Sequence, residues 1–274
     1  MSNLLIAAIE LLLAVFLIAY TFRRRISAAP KILLLHSFES KSLDIGSFTL
    51  RAFERLLQSI EAAGLTIGDI EESLHDRTKV AITFDDGYDD LMQLEPLLRK
   101  LRIPITIFIP TAFIGKTNTW DNFLSAGKRR HLSESQIRQL SALGVRFGSH
   151  GHTHRDLTTL SHIALTDELT LSQRILSELT GHPIVDIAYP FGRANQRVIH
   201  AARKLGFTRQ FASVPMNENS NLIGRIPIAK LDNSISINSK LSGNVLAGCE
   251  VTKSLIISKF SHLTPVVTRR QSVA

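Results

Sequence analysis

The sequence predicts an α/β chain whose body is a closed or nearly closed parallel barrel, preceded by one membrane-spanning helix. Three observations carry this. Apolar strand-like runs alternate with helical patterns from residue 31 to about residue 228. Polar clusters follow four of those runs. An apolar segment interrupted only by Glu10 stands near the amino end. The chain has 274 residues, 44% hydrophobic and 20% charged, enough apolar material for a sizeable core and too much for a disordered chain.

The elements follow in order. Lys31–His36 (KILLLH) follows Pro30 and reads as a buried strand. Leu50–Ala63 places Phe53, Leu56, Leu57 and Ile60 on one helical face, closed by Gly64. Val80–Phe84 is a second strand and Leu91–Lys100 a short helix. Ile105–Ile109, between Pro104 and Pro110, is a third strand. Ser133 and Gln136 form a capping box for a helix that ends at Gly144, and Val145–Ser149 is the fourth strand. Leu165–Thr180 is a helix with Leu165, Leu169, Ile175, Leu176 and Leu179 inward, stopped by Gly181. Ile184–Tyr189 is the fifth strand, and Gln196–Leu205 a helix ended by Gly206. Phe207–Ser213 and Arg225–Ile228 are further strand candidates. Strands separated by helices imply parallel pairing with right-handed crossovers. An open doubly wound sheet is the alternative, but no Gly-rich phosphate loop follows the first strand. Asp232–Gly243 is Ser/Asn-rich and reads as loop, and Thr264–Ala274 as a loose tail. The expected division is an anchor over 1–25, a catalytic barrel over 30–230 and a partly looped extension over 231–274.

Leu4–Tyr20 is apolar except for Glu10, and about 17–20 helical residues reach across a bilayer core. A buried core helix would show one polar face, and this run shows none. A signal peptide carries its positive charge before the apolar run, whereas Arg23–Arg25 follow it. The expectation is a single-pass anchor to a membrane. The arginines favour the cytoplasmic side for the body, with the exported side left open because one helix offers few charges to count.

The net charge of +8 invites a nucleic-acid partner. Half of it sits at the two ends, where Arg23–Arg25 less Glu10 give +2 and Arg269 and Arg270 another +2, and the body shows no Lys/Arg stripe. No nucleic-acid partner is expected. One cysteine, Cys249, excludes an intramolecular disulfide framework and a multi-cysteine zinc site.

In a parallel barrel, chemistry gathers at the carboxyl ends of the strands. Here those ends carry His36, then Asp85-Asp86-Gly87, then His150-Gly151-His152-Thr153-His154, then Pro190-Phe191-Gly192. Adjacent carboxylates repel unless their roles differ. A divalent ion separates them, with one carboxylate ligating and the other free as a base. Asp-Gly is also ordinary turn chemistry. The histidines decide against a mere turn, since His150 and His154 can converge on one ion from a strand end entering a turn. Imidazole plus carboxylate suits Zn²⁺ and related transition metals, and two histidines with one carboxylate leave positions open for water and substrate. His152 would share their face in an extended strand, as a third ligand; otherwise it lies behind the site or on the surface.

Thr83-Phe84-Asp85-Asp86-Gly87, the His150/His154 pair and Pro190-Phe191-Gly192 together resemble the NodB-homology polysaccharide deacetylases, the family-four carbohydrate esterases. The resemblance spans about residues 31–228 and implies a distorted (β/α)7 barrel that removes acetyl groups from amino sugars. It implies Asp85 as catalytic base and Asp86, His150 and His154 as metal ligands. Phe191 would contribute its main-chain N–H to the oxyanion. Two departures stand out. Where the family has an arginine two residues before the proline, this chain has Ala188. Orientation of the base is then absent or supplied by another residue. The usual C-terminal Leu-x-x-His is missing, but Leu33-Leu34-Leu35-His36 precedes the Asp pair. That order resembles the permuted poly-N-acetylglucosamine deacetylases and implies His36 as general acid. Trp120 matches a tryptophan of that subgroup and, with Tyr189 and Pro190, is a candidate substrate contact.

The implied activity is metal-dependent hydrolysis of N-acetyl groups on a polysaccharide or oligosaccharide, with Zn²⁺ as the cofactor and Co²⁺ or Ni²⁺ also suitable. The rival readings are a deformylase or deacetylase of a lipid-linked sugar and an inert carbohydrate-binding barrel.

Overall fold

The computed structural model describes residues 29–38, 48–117, 129–213, 222–229 and 232–244, with residues 247 and 250. Its strands are β1 (Lys31–Leu35), β2 (Thr66–Ile67), β3 (Lys79–Phe84), β4 (Ile105–Ile109), β5 (Arg146–Ser149), β6 (Asp186–Ala188), β7 (Arg209–Ala212), β8 (Ile223–Gly224) and β9 (Ile226–Pro227). The helices are α1 (Leu50–Ala62), α2 (Ile70–His75), α3 (Glu95–Leu101), α4 (Glu134–Ala142), α5 (His162–Thr180), α6 (Gln196–Lys204) and α7 (Ser234–Ser242). All strand pairs are parallel, in the order β8-β7-β6-β5-β4-β3-β1-β9, with β2 beside β3.

The two ends of that order are one piece of chain. β8 pairs with β7 and β9 pairs with β1, and only Arg225 lies between them. The segment 223–227 therefore occupies one position across the seam, and the sheet curls into a near-closed parallel barrel, as the alternation of patterns predicts.

Two apolar groupings follow from the period-2 alternation of strand side chains. Ile32, Ala81, Phe108, Ala188 and Phe211 form a small inner cluster. Their outward neighbours meet the helices in the larger core, where α1 contributes Phe53, Leu56 and Ile60, and α5 contributes Leu165, Leu169 and Leu176. Gly148 exists for contact inside this shell. A Cβ there would lie 2.5 Å from the Phe108 ring.

Several local outcomes differ from the sequence reading. The helix expected over Leu91–Lys100 is a 3-10 turn over Asp89–Leu94 followed by α3, because Pro96 suits only the first turn of an α-helix. α2 was not expected; a capping box between Asp69 and Glu72 starts it. Asp232–Gly243 contains α7 where a loop is expected. Asn233 caps it by accepting from the Ser236 N–H, Gly243 ends it at φ 62°, and Ile237 and Leu241 are buried. Lys240, 0% exposed, donates to the Pro227 carbonyl at 2.8 Å and to Asp232 at 2.6 Å. It thus ties α7 to the closing strand β9.

The expected membrane placement is corrected. Among the described residues no helix is long and apolar enough to cross a membrane. α5 has 19 residues but carries Asp167, Glu168, Arg174 and Glu178 and packs on the sheet. The Leu4–Tyr20 segment lies outside the described residues, so the anchor and the cytoplasmic side inferred from it have no support in the structure.

Lys240→Met should lower stability to urea by about 3–5 kcal/mol, because it leaves the buried Asp232 carboxylate without its cation. Equilibrium unfolding of both chains measures this; an unchanged midpoint would contradict the tie between α7 and β9.

Candidate metal centre and base

The barrel brings the four polar strand ends to one mouth. β3 delivers Asp85 and Asp86, β5 delivers His150, β6 leads into Pro190-Phe191-Gly192, and β1 ends at His36.

Residues 81, 83 and 85 share the inner face of β3 and its extension. Asp85 therefore points into the lumen, 3% exposed. It meets Arg225, which is 0% exposed. The guanidinium donates from Nη1 to Oδ1 and from Nη2 to Oδ2, both at 2.7 Å. It also donates to Thr83 Oγ1 at 3.2 Å and to the Ala212 carbonyl at 3.3 Å, and lies over the Phe108 and Phe211 rings. Burial alone would raise the Asp85 carboxyl. The Arg225 charge, joined by His150, the Arg225 hydrogen bonds and His36, outweighs it and holds the group below the usual carboxylate range. Ala188 stands in the same inner cluster as Phe108 and Phe211. The guanidinium that Ala188 lacks thus reaches the same lumen from the closing segment. The sequence reading missed Arg225. Its signal is one charge within the run Leu222-Ile223-Gly224-Arg225-Ile226-Pro227-Ile228.

Asp86 turns the other way. Its φ is 67°, left-handed for a residue with a side chain. Gly87 follows at φ 61°, where a Cβ would lie 2.2 Å from Ile109 Cδ1, so the turn favours glycine there. The turn is held from outside by Leu132 N–H on the Gly87 carbonyl at 2.9 Å and by the His131 ring nitrogen Nδ1 on the Asp86 carbonyl at 2.7 Å. His131, 1% exposed and packed beside Tyr88 and Phe113, is a second residue the sequence reading did not find. Burial lowers its pKa, against the opposing pull of Asp86.

His154 Nε2 lies 3.3 Å and His150 Nε2 3.6 Å from Asp86 Oδ1. All three ligand atoms lie within 4.8 Å of one another. Donors about 2.0–2.1 Å from a tetrahedral ion sit roughly 3.3 Å apart, so the spacing suits a transition metal. Asp86 Oδ1 is buried and accepts no hydrogen bond among the described residues. His150 Nδ1 donates to the Ala188 carbonyl at 2.6 Å, which directs Nε2 to the cluster. Burial pushes His154 down to about 3, and although burial alone would raise Asp86, His154, His150, His36 and His131 bring it to about 2. A neutral imidazole at His154 beside an ionised carboxylate at Asp86 is the pairing that ligates a cation.

The remaining expected residues fall as follows. His36 ends β1, half-buried, near enough for its charge to act on Asp85 and Asp86. Phe191 sits at φ 60° and ψ 12°, with its ring edge-on to His154 at 4.8 Å. His152 stands outside the Asp86–His150–His154 cluster, with its Nδ1 in a hydrogen bond to Thr111 Oγ1 at 2.8 Å. Tyr189 is corrected as a sugar contact. It follows the inward Ala188, so its side chain turns outward, 1% exposed, and its hydroxyl donates to Gln210 at 2.6 Å. Pro190 is buried and only opens the Phe191 turn. Trp120 lies outside the described residues.

Arg225→Met should cost about 3–5 kcal/mol, because it strands a buried carboxylate. Adding Asp85→Asn should recover most of the loss. Denaturant unfolding of the single and double variants checks this, and additive losses would contradict the pairing.

Comparison with known proteins now adds to this geometry. The family model described as polysaccharide deacetylase matches residues 73–209, half of the chain. The Bacillus subtilis (strain 168) protein YxkH is 32% identical over 137 residues, covering 50% of this chain and 45% of YxkH. The chain thus spans under half the length of that relative. A Staphylococcus aureus (strain MRSA252) poly-β-1,6-N-acetyl-D-glucosamine N-deacetylase is 25% identical over 211 residues, 70% of each chain. In fold, the Streptococcus pyogenes deacetylase PplD in complex with acetate superposes at TM-score 0.65, with 21% identity over 77% of this chain and 97% of its own. IcaB from Ammonifex degensii superposes at 0.63, with 20% identity over 77% and 96%. On the family match and the assembled site, the chain belongs to the polysaccharide deacetylase family.

Proposed function

We propose that this protein is a metal-dependent deacetylase of N-acetylated glycans, with residues 30–230 as the catalytic barrel. The observation that carries the reading is the pairing of two carboxylates in different states of use. Asp85 is bound by Arg225, and Asp86 faces two imidazoles with its Oδ1 accepting no hydrogen bond among the described residues. The relative named for poly-β-1,6-N-acetyl-D-glucosamine favours a β-linked N-acetylglucosamine chain as substrate.

Asp86, His150 and His154 would hold the ion, with Zn²⁺ the best match to nitrogen and oxygen donors at this spacing and Co²⁺ or Ni²⁺ also suitable. Such an ion supplies Lewis-acid polarisation of the acetyl carbonyl and a water of lowered pKa. Asp85, kept ionised by Arg225, accepts the proton of the attacking water on its carboxylate. The Phe191 main-chain N–H is assigned to the developing oxyanion, a contact worth roughly 3–4 kcal/mol in other enzymes. His36, across the mouth just beyond β1, gives a proton to the departing sugar amine. The lumen arginine does not meet the substrate; it fixes the plane and charge of the base.

Acetate release from N-acetylated oligosaccharides, with and without chelator, tests the activity; formate release, or none from any glycan, would contradict it. Asp85→Asn should abolish turnover and keep the metal, whereas Asp86→Ala should lose the metal on elemental analysis. Loosening the Arg225 clamp lets burial raise Asp85, so the base is protonated at higher pH. In a folded Arg225→Lys chain, a weaker clamp without bidentate geometry, the acidic limb of kcat against pH should therefore move upward. An unmoved limb would contradict the role of Arg225.

A further inference from the structure

α5 packs against β5 with Leu165, Leu169, Leu176 and Leu179 buried. Two polar residues interrupt that stripe, Glu168 at 6% exposed and Ser172 at 0%. A buried carboxylate is costly unless donors surround it. Glu168 has three. Its Oε2 accepts from the His152 N–H at 2.7 Å and the Thr153 N–H at 2.8 Å, and its Oε1 accepts from the Thr153 hydroxyl. Ser172 continues the grip. Its hydroxyl lies 2.7 Å from that of Ser149, which accepts from the Gly151 N–H at 3.1 Å. One helix therefore holds the whole turn between the two histidine ligands.

The turn needs such a hold. Gly151 has φ 75° and His154 φ 55°, and a left-handed histidine persists only where its surroundings over-determine it. Glu168 touches neither ligating nitrogen. It acts on the backbone that aims them.

We propose that Glu168 is a positioning residue for the metal centre, setting the 150–154 turn so that both imidazoles face Asp86. The inference rests on the metal site proposed above, and it assigns a role to a residue outside every motif of the sequence.

The test is zinc affinity of the full chain, measured by competition with a chromophoric chelator, together with the visible spectrum of the Co²⁺-loaded protein. Glu168→Ala should weaken zinc binding by about 10- to 100-fold and alter the Co²⁺ spectrum. Glu168→Gln should stay near the unaltered chain, because its amide oxygen can accept the two N–H groups while its NH₂ donates to the Thr153 hydroxyl. Thr153→Val, which removes one donor and leaves the helix intact, should give a smaller loss in the same direction. The proposal is overturned if Glu168→Ala, or Thr153→Val where the alanine chain does not fold, binds zinc and displays Co²⁺ as the unaltered chain does. It is also overturned if Glu168→Gln is as weak as Glu168→Ala. Because turnover is not read, a chain that binds zinc at the three ligands but deacetylates nothing removes the functional reading alone. A chain that binds no zinc removes both.

Discussion

The buried pair of Arg225 and Asp85 is the interaction on which the rest of the site depends. Neither charge tolerates the lumen alone, and each satisfies the other in a two-point contact at 2.7 Å. Such pairs contribute little net stability, because desolvation offsets most of the attraction. What the pair sets is a protonation state. Burial by itself would neutralise Asp85, and the guanidinium keeps it ionised and oriented. Arg225 is also the single residue between β8 and β9, so Asp85 obtains its cation only when the barrel closes at that seam. Closure of the fold thereby also supplies the cation of Asp85, the proposed base.

The proposed metal centre is built by a different device. Asp86, His154 and Phe191 all have positive φ, each in a turn just beyond a strand end. Left-handed backbone at a residue with a side chain costs energy and aims that side chain away from the direction the strand would give it. Each turn is braced from outside. His131 and Leu132 hold the Asp86-Gly87 turn, Glu168 and Ser172 hold the histidine turn, and the Ala188 carbonyl fixes the His150 ring. The rigid strands bring the groups to one mouth, and these braces rotate them onto a common point.

Much of this was legible in the sequence, for physical reasons that also mark its limits. β1, β3, β4, β5 and β6 read as apolar runs bounded by Pro, Gly or charge, and Asp85, Asp86, His150 and His154 were conspicuous because polar residues cluster where those runs stop. Arg225 was visible as an odd charge in an apolar strand, but its partner lies 140 positions away, and only the closed ring brings them together. Glu168 and His131 were hidden because they act through backbone atoms that no motif records. α7 was misread because Ser and Asn are poor helix formers; its caps and the buried Lys240 overrule composition. Tyr189 was misassigned because adjacency to the Phe191 turn was read as exposure, whereas strand alternation points it away from the lumen.

The central claim is that two neighbouring carboxylates divide their work, one for the ion and one for the proton. Anomalous diffraction from crystals grown with Zn²⁺ tests it most directly. The account requires a single ion within about 2.0–2.2 Å of Asp86 Oδ1, His150 Nε2 and His154 Nε2, with Asp85 still clasped by Arg225. An ion ligated by Asp85, with Arg225 displaced from it, would contradict the account.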